Sequence, residues 1–464
     1  MPAKTRAVFR CSACGHQPAK WVGRCPECGE WGTVDESAPA AAAKARGTAG
    51  VTPSSPARRL TDVDSESATV IPTGIDEFDR VLGRGVVPGS VILLAGEPGV
   101  GKSTLLLEAA KHWARGGRTA LYVTGEESAG QVRLRAERTD AVHENVYLAA
   151  ESDLATVLGH VAEVDPTLLI VDSVQTMVAT DSDGVHGGVT QIRAVTTALV
   201  SLAKNSGVAV ILVGHVTKDG AVAGPRSLEH LVDVVLGFEG DRHSPLRMVR
   251  GIKNRFGAAD EVGCFEQRDN GIHQVTDPSG IFWHERQGDV TGSAVLVTMD
   301  GKRALVGEVQ ALANATEMNN PRRAVSGLDS ARVAMVLAVL QSRLGLTGIG
   351  KSEVYASTVG GMKVTEPAAD LAIAMAVGSV VKDVAIPFDT VVIGEVGLAG
   401  EVRPVSSLTR RVAEAKRLGF RHAVIPAAGA DREDLPKGIR ISRVANLAEA
   451  VQACLSRGAA SYDF

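Results

Sequence analysis

The chain has 464 residues, 45% hydrophobic and 22% charged, with a formal net charge of −4 and aromatics at only 4%. These values exclude a protein that is basic throughout, so any nucleic-acid contact must come from local basic loops. They also exclude one ordinary core, since this length favours about two or three domains.

No run reaches the roughly 18 consecutive apolar residues that a bilayer span needs, so no membrane contact is expected. The opening MPAKTRAVFRCSACG has no apolar signal core, and the expected address is the cytoplasm. Residues 1–35 hold four of the six cysteines. Cys11 and Cys14 stand against Cys25 and Cys28 as two Cys-x2-Cys turns, the spacing of a structural Zn²⁺ ribbon with all four positions filled by thiolate. A segment this short cannot build a core, so Zn²⁺ must supply its folding energy, about 10–16 kcal/mol in comparable sites. Residues 36–60 are rich in Ala, Pro, Ser and Gly and read as a flexible linker.

Residues 61–285 read as an α/β domain. The runs SVILLAGEP, TALYVTGEE, TLLIVDSV and VAVILVGHV have buried-strand character, with helical stretches such as 102–114 and 188–205 between them. That alternation predicts a parallel sheet covered on both faces. LVDVVLGFE, LRMVRGI and EVGCFEQ follow without intervening helices, which predicts antiparallel strands at the sheet edge. Residues 286–464 form a separate α+β domain. It opens on an Asp-Gly hairpin in SAVLVTMDGKRALVGEVQALA, with helices expected over 329–343, 366–381 and 406–418.

The stretch GEPGVGKST (Gly96, Glu97, Pro98, Gly99, Val100, Gly101, Lys102, Ser103, Thr104) fits G-x-x-x-x-G-K-[ST]. A buried strand feeds it and an amphipathic helix follows, so backbone N–H groups and the helix N-terminus can cradle the phosphates of ATP. Lys102 is expected on the β- and γ-phosphates and Ser103 on Mg²⁺. A second match, GLTGIGKS at 345–352, runs helix–loop–strand, the wrong order for a cradle, and reads as a turn. Asp172 ends an apolar run and is the expected carboxylate of the Mg²⁺ shell. Glu126 and Glu127 end another strand, where ligands of open α/β sheets lie. Glu126 is the candidate base, while Glu127 suits a helix N-terminus. His215 ends the next strand, in the position of a γ-phosphate sensor or of a structural histidine.

Taken together, the four-cysteine finger, GEPGVGKST, YVTGEES, LLIVDSVQT, KNRFG and EPAADLAIAMA resemble the bacterial RadA (Sms) family of DNA-repair ATPases, related to RecA and to DnaB-type helicases. The resemblance spans nearly the whole chain. It implies a RecA-like P-loop core, a homo-oligomeric ring (a hexamer in the family) and a DNA-dependent ATPase in recombinational repair. That activity would be a helicase or translocase promoting branch migration on single-stranded and branched DNA, alongside recombination proteins such as RecA. An ATP-switched DNA-binding mediator without motor activity is the alternative. The last domain resembles the proteolytic domain of Lon. Ala368 stands where the Lon serine would be and Thr409 where its lysine would be, so protease chemistry is not expected.

The resemblance also directs the basic loops. Lys218 and Arg226, in a loop that faces the DNA channel of RecA-like rings, are the candidate DNA contacts. Lys302, Arg303, Arg322 and Arg323 form a second candidate stripe. Lys253 and Arg255 of KNRFG match a Lys-x-Arg-x-Gly arrangement of DnaB-type helicases that faces the neighbouring subunit's ATP. Alternate residues of an extended segment point the same way, so both cations are expected to reach one γ-phosphate, with Phe256 packing the hairpin.

Overall fold

The computed structural model describes residues 8–11, 16, 18, 22–37, 59–62, 69–180, 184–215, 228–240, 245–279, 289–318, 320–430 and 434–455. Cys14, Lys218, Arg226, most of the linker and the expected 285/286 boundary lie outside the described residues. Contacts divide the chain into two units, Met1–Ser65 and Glu66–Phe464.

In the first unit, β1 (Val8–Cys11) pairs antiparallel with β2 (Val34–Ser37). Its buried core is Cys11, Cys25 and Val34. So small an apolar cluster cannot offset the entropy of ordering the segment.

The second unit opens with α1 (Asp76–Leu82), β3 (Val91–Gly96), α2 (Lys102–Arg115), β4 (Ala120–Thr124) and α3 (Ala129–Arg138). Next come β5 (Val146–Ala150), α4 (Leu154–Val164), β6 (Leu168–Asp172), α5 (Val189–Ser206) and β7 (Ala209–His215). Four further strands, β8 (Val234–Gly240), β9 (Leu246–Asn254), β10 (Val262–Arg268) and β11 (Gly271–Gln274), complete a nine-stranded sheet ordered β11-β10-β9-β8-β3-β7-β6-β4-β5. The expected parallel strands are all present, and they are apolar throughout because both faces are covered. Ile92, Leu94, Ile170 and Ile211 pack with Phe78 of α1 and Leu105 of α2. The alternate residues Leu93, Leu169, Val171 and Leu212 pack with Val157 of α4 and Val195 of α5, the period-two division of a strand. One expectation is corrected: β8 lies parallel to β3, and the antiparallel extension begins only at β9.

The C-terminal α+β region comprises β12 (Ser293–Asp300), β13 (Arg303–Ala315), β14 (Arg323–Ser326), α6 (Ser330–Arg343), β15 (Ser352–Thr358) and α7 (Asp370–Lys382). It continues with β16 (Thr390–Val392), β17 (Glu395–Val396), β18 (Val402–Arg403), α8 (Leu408–Arg417), β19 (His422–Pro426), β20 (Arg440–Val444) and α9 (Leu447–Leu455). Seven of these strands form a sheet ordered β14-β15-β13-β12-β16-β19-β20. The Asp-Gly hairpin is the β12–β13 turn, with Asp300 paired to Arg303. The second G-x-x-x-x-G-K-S match is a 3-10 turn, Thr347–Lys351, leading into β15, so no strand delivers it to a phosphate. Among the described residues, no helix is long and apolar enough to cross a membrane.

Of the candidate DNA stripe Lys302, Arg303, Arg322 and Arg323 in residues 300–324, Arg303 is corrected. Arg303 is 9% exposed and pairs with Glu77 of α1, itself 1% exposed. Its guanidinium also donates to Val262 O and Thr276 O, while Glu77 accepts from Cys264 N–H at 2.9 Å. Arg323 is spent on the carbonyls of Ile349 and Ser352. Arg303 therefore joins the two sheets through a buried ion pair instead of meeting solvent. Removing one partner strands a buried charge, so Arg303→Met is expected to cost about 3–5 kcal/mol in urea unfolding. Glu77→Leu combined with Arg303→Met should recover most of that loss.

Candidate nucleotide site and metal centre

The phosphate loop joins the buried end of β3 to the first turn of α2. Gly101 caps that helix at φ 112°, and a Cβ there would lie 2.6 Å from Ile272 Cδ1 and 2.9 Å from Gln267 Oε1. Only glycine fits against the β10–β11 hairpin behind it. Arg247 Nε donates to Val100 O at 3.2 Å, holding the loop from β9. Lys102 Nζ donates to Gly96 O at 2.8 Å and Glu97 O at 2.9 Å. Burial pushes this ammonium down to about 8, against the opposing pull of Asp172 and Glu126. A buried lysine resting on loop carbonyls beside a helix N-terminus fits a polyphosphate, which would restore its charge.

The strand ends bring the other predicted residues together. Asp172 ends β6, buried, and its Oδ2 accepts from the Tyr122 hydroxyl at 2.5 Å. Ser103 sits in the first turn of α2, so the hydroxyl and the carboxylate suited to a hard divalent cation come from the start of α2 and the end of β6. Glu126, just past β4, accepts from Ser173 Oγ at 2.6 Å and meets His215 Nε2 at 3.1 Å. Burial would push the Glu126 carboxyl up. The Ser173 and His215 hydrogen bonds, with the charges of His215 and Lys102, outweigh it and hold the group below its ordinary value. Glu127 instead pairs with Arg135, and Ser128 caps α3 through a capping box with Gln131. Sequence reasoning missed Tyr122 and Ser173. The available signals were a hydroxyl inside an apolar strand and the serine directly after Asp172.

Lys253 and Arg255 lie elsewhere. Asn254 pairs with Val234, and Val234 with Ile92, whereas the phosphate loop leaves β3 at Gly96. Four residues of strand, roughly 13 Å, separate the two levels. Lys253 Nζ donates to Glu229 O at 2.6 Å and Val232 O at 2.8 Å. Arg255 Nη1 meets Asp233 Oδ1 at 3.2 Å, and Lys204 Nζ meets Asp233 Oδ2 at 2.7 Å. Burial, then the adjacent Arg255 charge, pushes the Lys253 ammonium down despite Asp233 and Glu229. Phe256 is 40% exposed and does not pack the hairpin as expected. Asn254 fills that side, donating to Val81 O and accepting from Phe256 N–H. A Cβ on Gly257 would lie 3.0 Å from Gly83 Cα, so the tip and the end of α1 meet backbone to backbone.

In the ribbon, the Sγ atoms of Cys11, Cys25 and Cys28 all lie within 4.8 Å of one another. Three converging thiols, two of them buried in a unit whose core is only Cys11, Cys25 and Val34 among the described residues, fit a tetrahedral thiolate centre for Zn²⁺. In the C-terminal region, Ala368 is buried in the 3-10 turn Pro367–Ala369, and Thr409 sits in the first turn of α8. The flanking Glu366 and Arg411 form a bidentate pair at 2.7 Å on both oxygens. No nucleophile–base pair occupies either expected position.

Phosphate binding to Lys102 should be linked to protons. At pH 6 the group is charged in the free and bound states and contributes no uptake. At pH 9 the free protein has lost most of that proton, and binding recovers towards one, since phosphate raises the bound-state value. Calorimetry of ADP binding in buffers of different ionisation heat should show this rise, and Lys102→Ala should abolish it.

Comparisons with known proteins converge on this geometry. Residues 57–221 match a family described as AAA domain, residues 9–36 a rubredoxin metal binding domain, and residues 360–429 the subunit ChlI of Mg-chelatase. The AAA match implies ATP with Mg²⁺ and the ribbon match implies Zn²⁺. The chain is 59% identical over 457 residues to a DNA repair protein RadA of Mycolicibacterium smegmatis, covering 97% of each. It is 57% identical to that of Mycobacterium tuberculosis, covering 97% of this chain and 93% of the relative. For Bacillus subtilis the identity is 42%, covering 98% and 99%. A ribbon, an ATPase core and a Lon-like region in one chain, matched end to end at these identities, place it in a single family: the chain belongs to the RadA family of DNA repair proteins.

Proposed function

We propose that the protein is a DNA-dependent ATPase of recombinational repair. It works as a homo-oligomeric, hexameric DnaB-type motor that promotes branch migration on single-stranded and branched DNA beside recombination proteins such as RecA. The observation that carries this reading is the position of the basic tip. Lys253 and Arg255 stand at the opposite end of β3 and β8 from their own phosphate loop, so they serve a nucleotide only if it belongs to another subunit. Lys253 rests on two carbonyls and Arg255 on Asp233, so two cations stand side by side at the tip, where a neighbour's phosphate would compete for them.

In this reading Lys102 and the loop 96–104 hold the phosphates, and Glu126 orients and deprotonates the attacking water. His215, bonded to Glu126, senses the γ-phosphate and reports it to the base. Ser103 and Asp172 hold Mg²⁺, which shields phosphate charge when bound. Arg255 and Lys253 of the adjoining subunit complete the site, and Lys218 and Arg226 follow DNA. An arginine supplied in trans is worth about 10³–10⁵ in rate where it has been dissected in GTPases. Asp233 is the resting partner that Arg255 leaves when the neighbour's ATP arrives.

The test mixes two inactive variants. Lys102→Ala and Arg255→Ala should each lose DNA-stimulated ATPase. Co-assembled in equal amounts, about a quarter of their interfaces pair an intact loop with an intact tip, so ATPase should return to roughly that fraction of wild type. No recovery, with co-assembly verified by native mass spectrometry, would contradict the trans role. Strand displacement on a forked substrate by wild type, lost in Lys102→Ala, checks the motor. ATP-stimulated DNA binding without displacement would make the protein a switch.

A further inference from the structure

Tyr122 is 1% exposed and lies on the strand face that packs under α2. Its register explains the contact it makes. Thr124 pairs with Asp172 and Tyr122 with Ile170, so the tyrosine rises two residues below the carboxylate and reaches it with its hydroxyl. Tyr122 O–H donates to Asp172 Oδ2 at 2.5 Å. Among the described residues no other side-chain hydrogen bond holds the Asp172 carboxylate.

We infer that Tyr122 is a positioning residue for divalent-metal binding: one buried hydroxyl fixes the rotamer of Asp172 before the cation arrives. The inference rests on the reading of Asp172 as a Mg²⁺ ligand. A phenol at this place satisfies Oδ2 of the carboxylate, so Oδ1 is the oxygen that would remain for a cation. Such outer groups orient ligands and typically set metal affinity over about 10–100-fold. A merely structural tyrosine would support the fold without distinguishing nucleotide with metal from nucleotide without it.

The test measures binding of a fluorescent ADP to the full chain with Mg²⁺ and in EDTA, for wild type and Tyr122→Phe. Affinity in EDTA should stay within about 2-fold, while the gain on adding Mg²⁺ should fall at least about 10-fold. An undiminished gain in Tyr122→Phe overturns the inference. Asp172→Asn runs alongside. If it also keeps the full gain, the ligand assignment itself is wrong and the inference falls with it. Should Tyr122→Phe not fold, wild-type protein labelled with 3-fluorotyrosine carries the test, since the chain has only 4 tyrosines. The buried resonance should move when Mg²⁺ is added to the ADP complex and stay still in Asp172→Asn. A buried resonance indifferent to Mg²⁺ in wild type overturns the inference equally.

Discussion

Every residue of β3 from Val91 to Gly96 is buried, and its register against β8, and through β8 against β9, fixes what its two ends can do. At the carboxyl end the strand delivers Gly96 and the phosphate loop. At the amino end Val91 N–H donates to Asp233 Oδ2 at 3.0 Å, and Asp233 gathers Lys204 and Arg255. Burial pushes the Asp233 carboxyl up, yet the Lys204 and Val91 hydrogen bonds and the two cations bring it below its ordinary value. The acid is therefore ionised and holds the arginine in the lone subunit. The shared register of β3, β8 and β9 holds these two ends apart, so in the proposed reading a site that uses both takes them from two chains.

Much of the core was legible because parallel strands buried on both faces leave continuous apolar runs. The phosphate loop was legible because glycine spacing, a preceding strand and a following helix agree. The direction of β8 was not. Without a helical pattern before it, an apolar run after a strand reads as a hairpin partner, and residues 216–227 of the connection lie outside the described residues. Arg303 misled for another reason: a cation carries no mark of its burial, and its partner Glu77 is 226 residues away. Tyr122 was hidden because a tyrosine in an apolar run reads as core until strand register places its hydroxyl on Asp172.

In the C-terminal region an ion pair fills the neighbourhood of Ala368 and Thr409. Arg411 is 1% exposed in its side chain and spends its guanidinium on Ser406 O, Val297 O and both oxygens of Glu366. Burial raises the Glu366 carboxyl, but Arg411, Thr298 and the Met299 N–H more than reverse it. A fully satisfied buried ion pair stabilises little beyond an apolar substitute, but it fixes one arrangement. Here it anchors α8 to β12 beside Ala368 and Thr409, where a serine and a lysine would otherwise need room to react. Joined to the ATPase sheet through Glu77 and Arg303, the region is built to hold its neighbour in a set position.

The most direct measurement of the central claim is an electron cryo-microscopy structure of the assembled protein with a non-hydrolysable ATP analogue, Mg²⁺ and single-stranded DNA. The account predicts that Arg255 leaves Asp233 and lies within hydrogen-bonding distance of the γ-phosphate bound to Lys102 of the adjoining subunit, with Lys253 beside it. An interface in which Arg255 remains on Asp233 and no residue of KNRFG approaches the neighbouring nucleotide would contradict it.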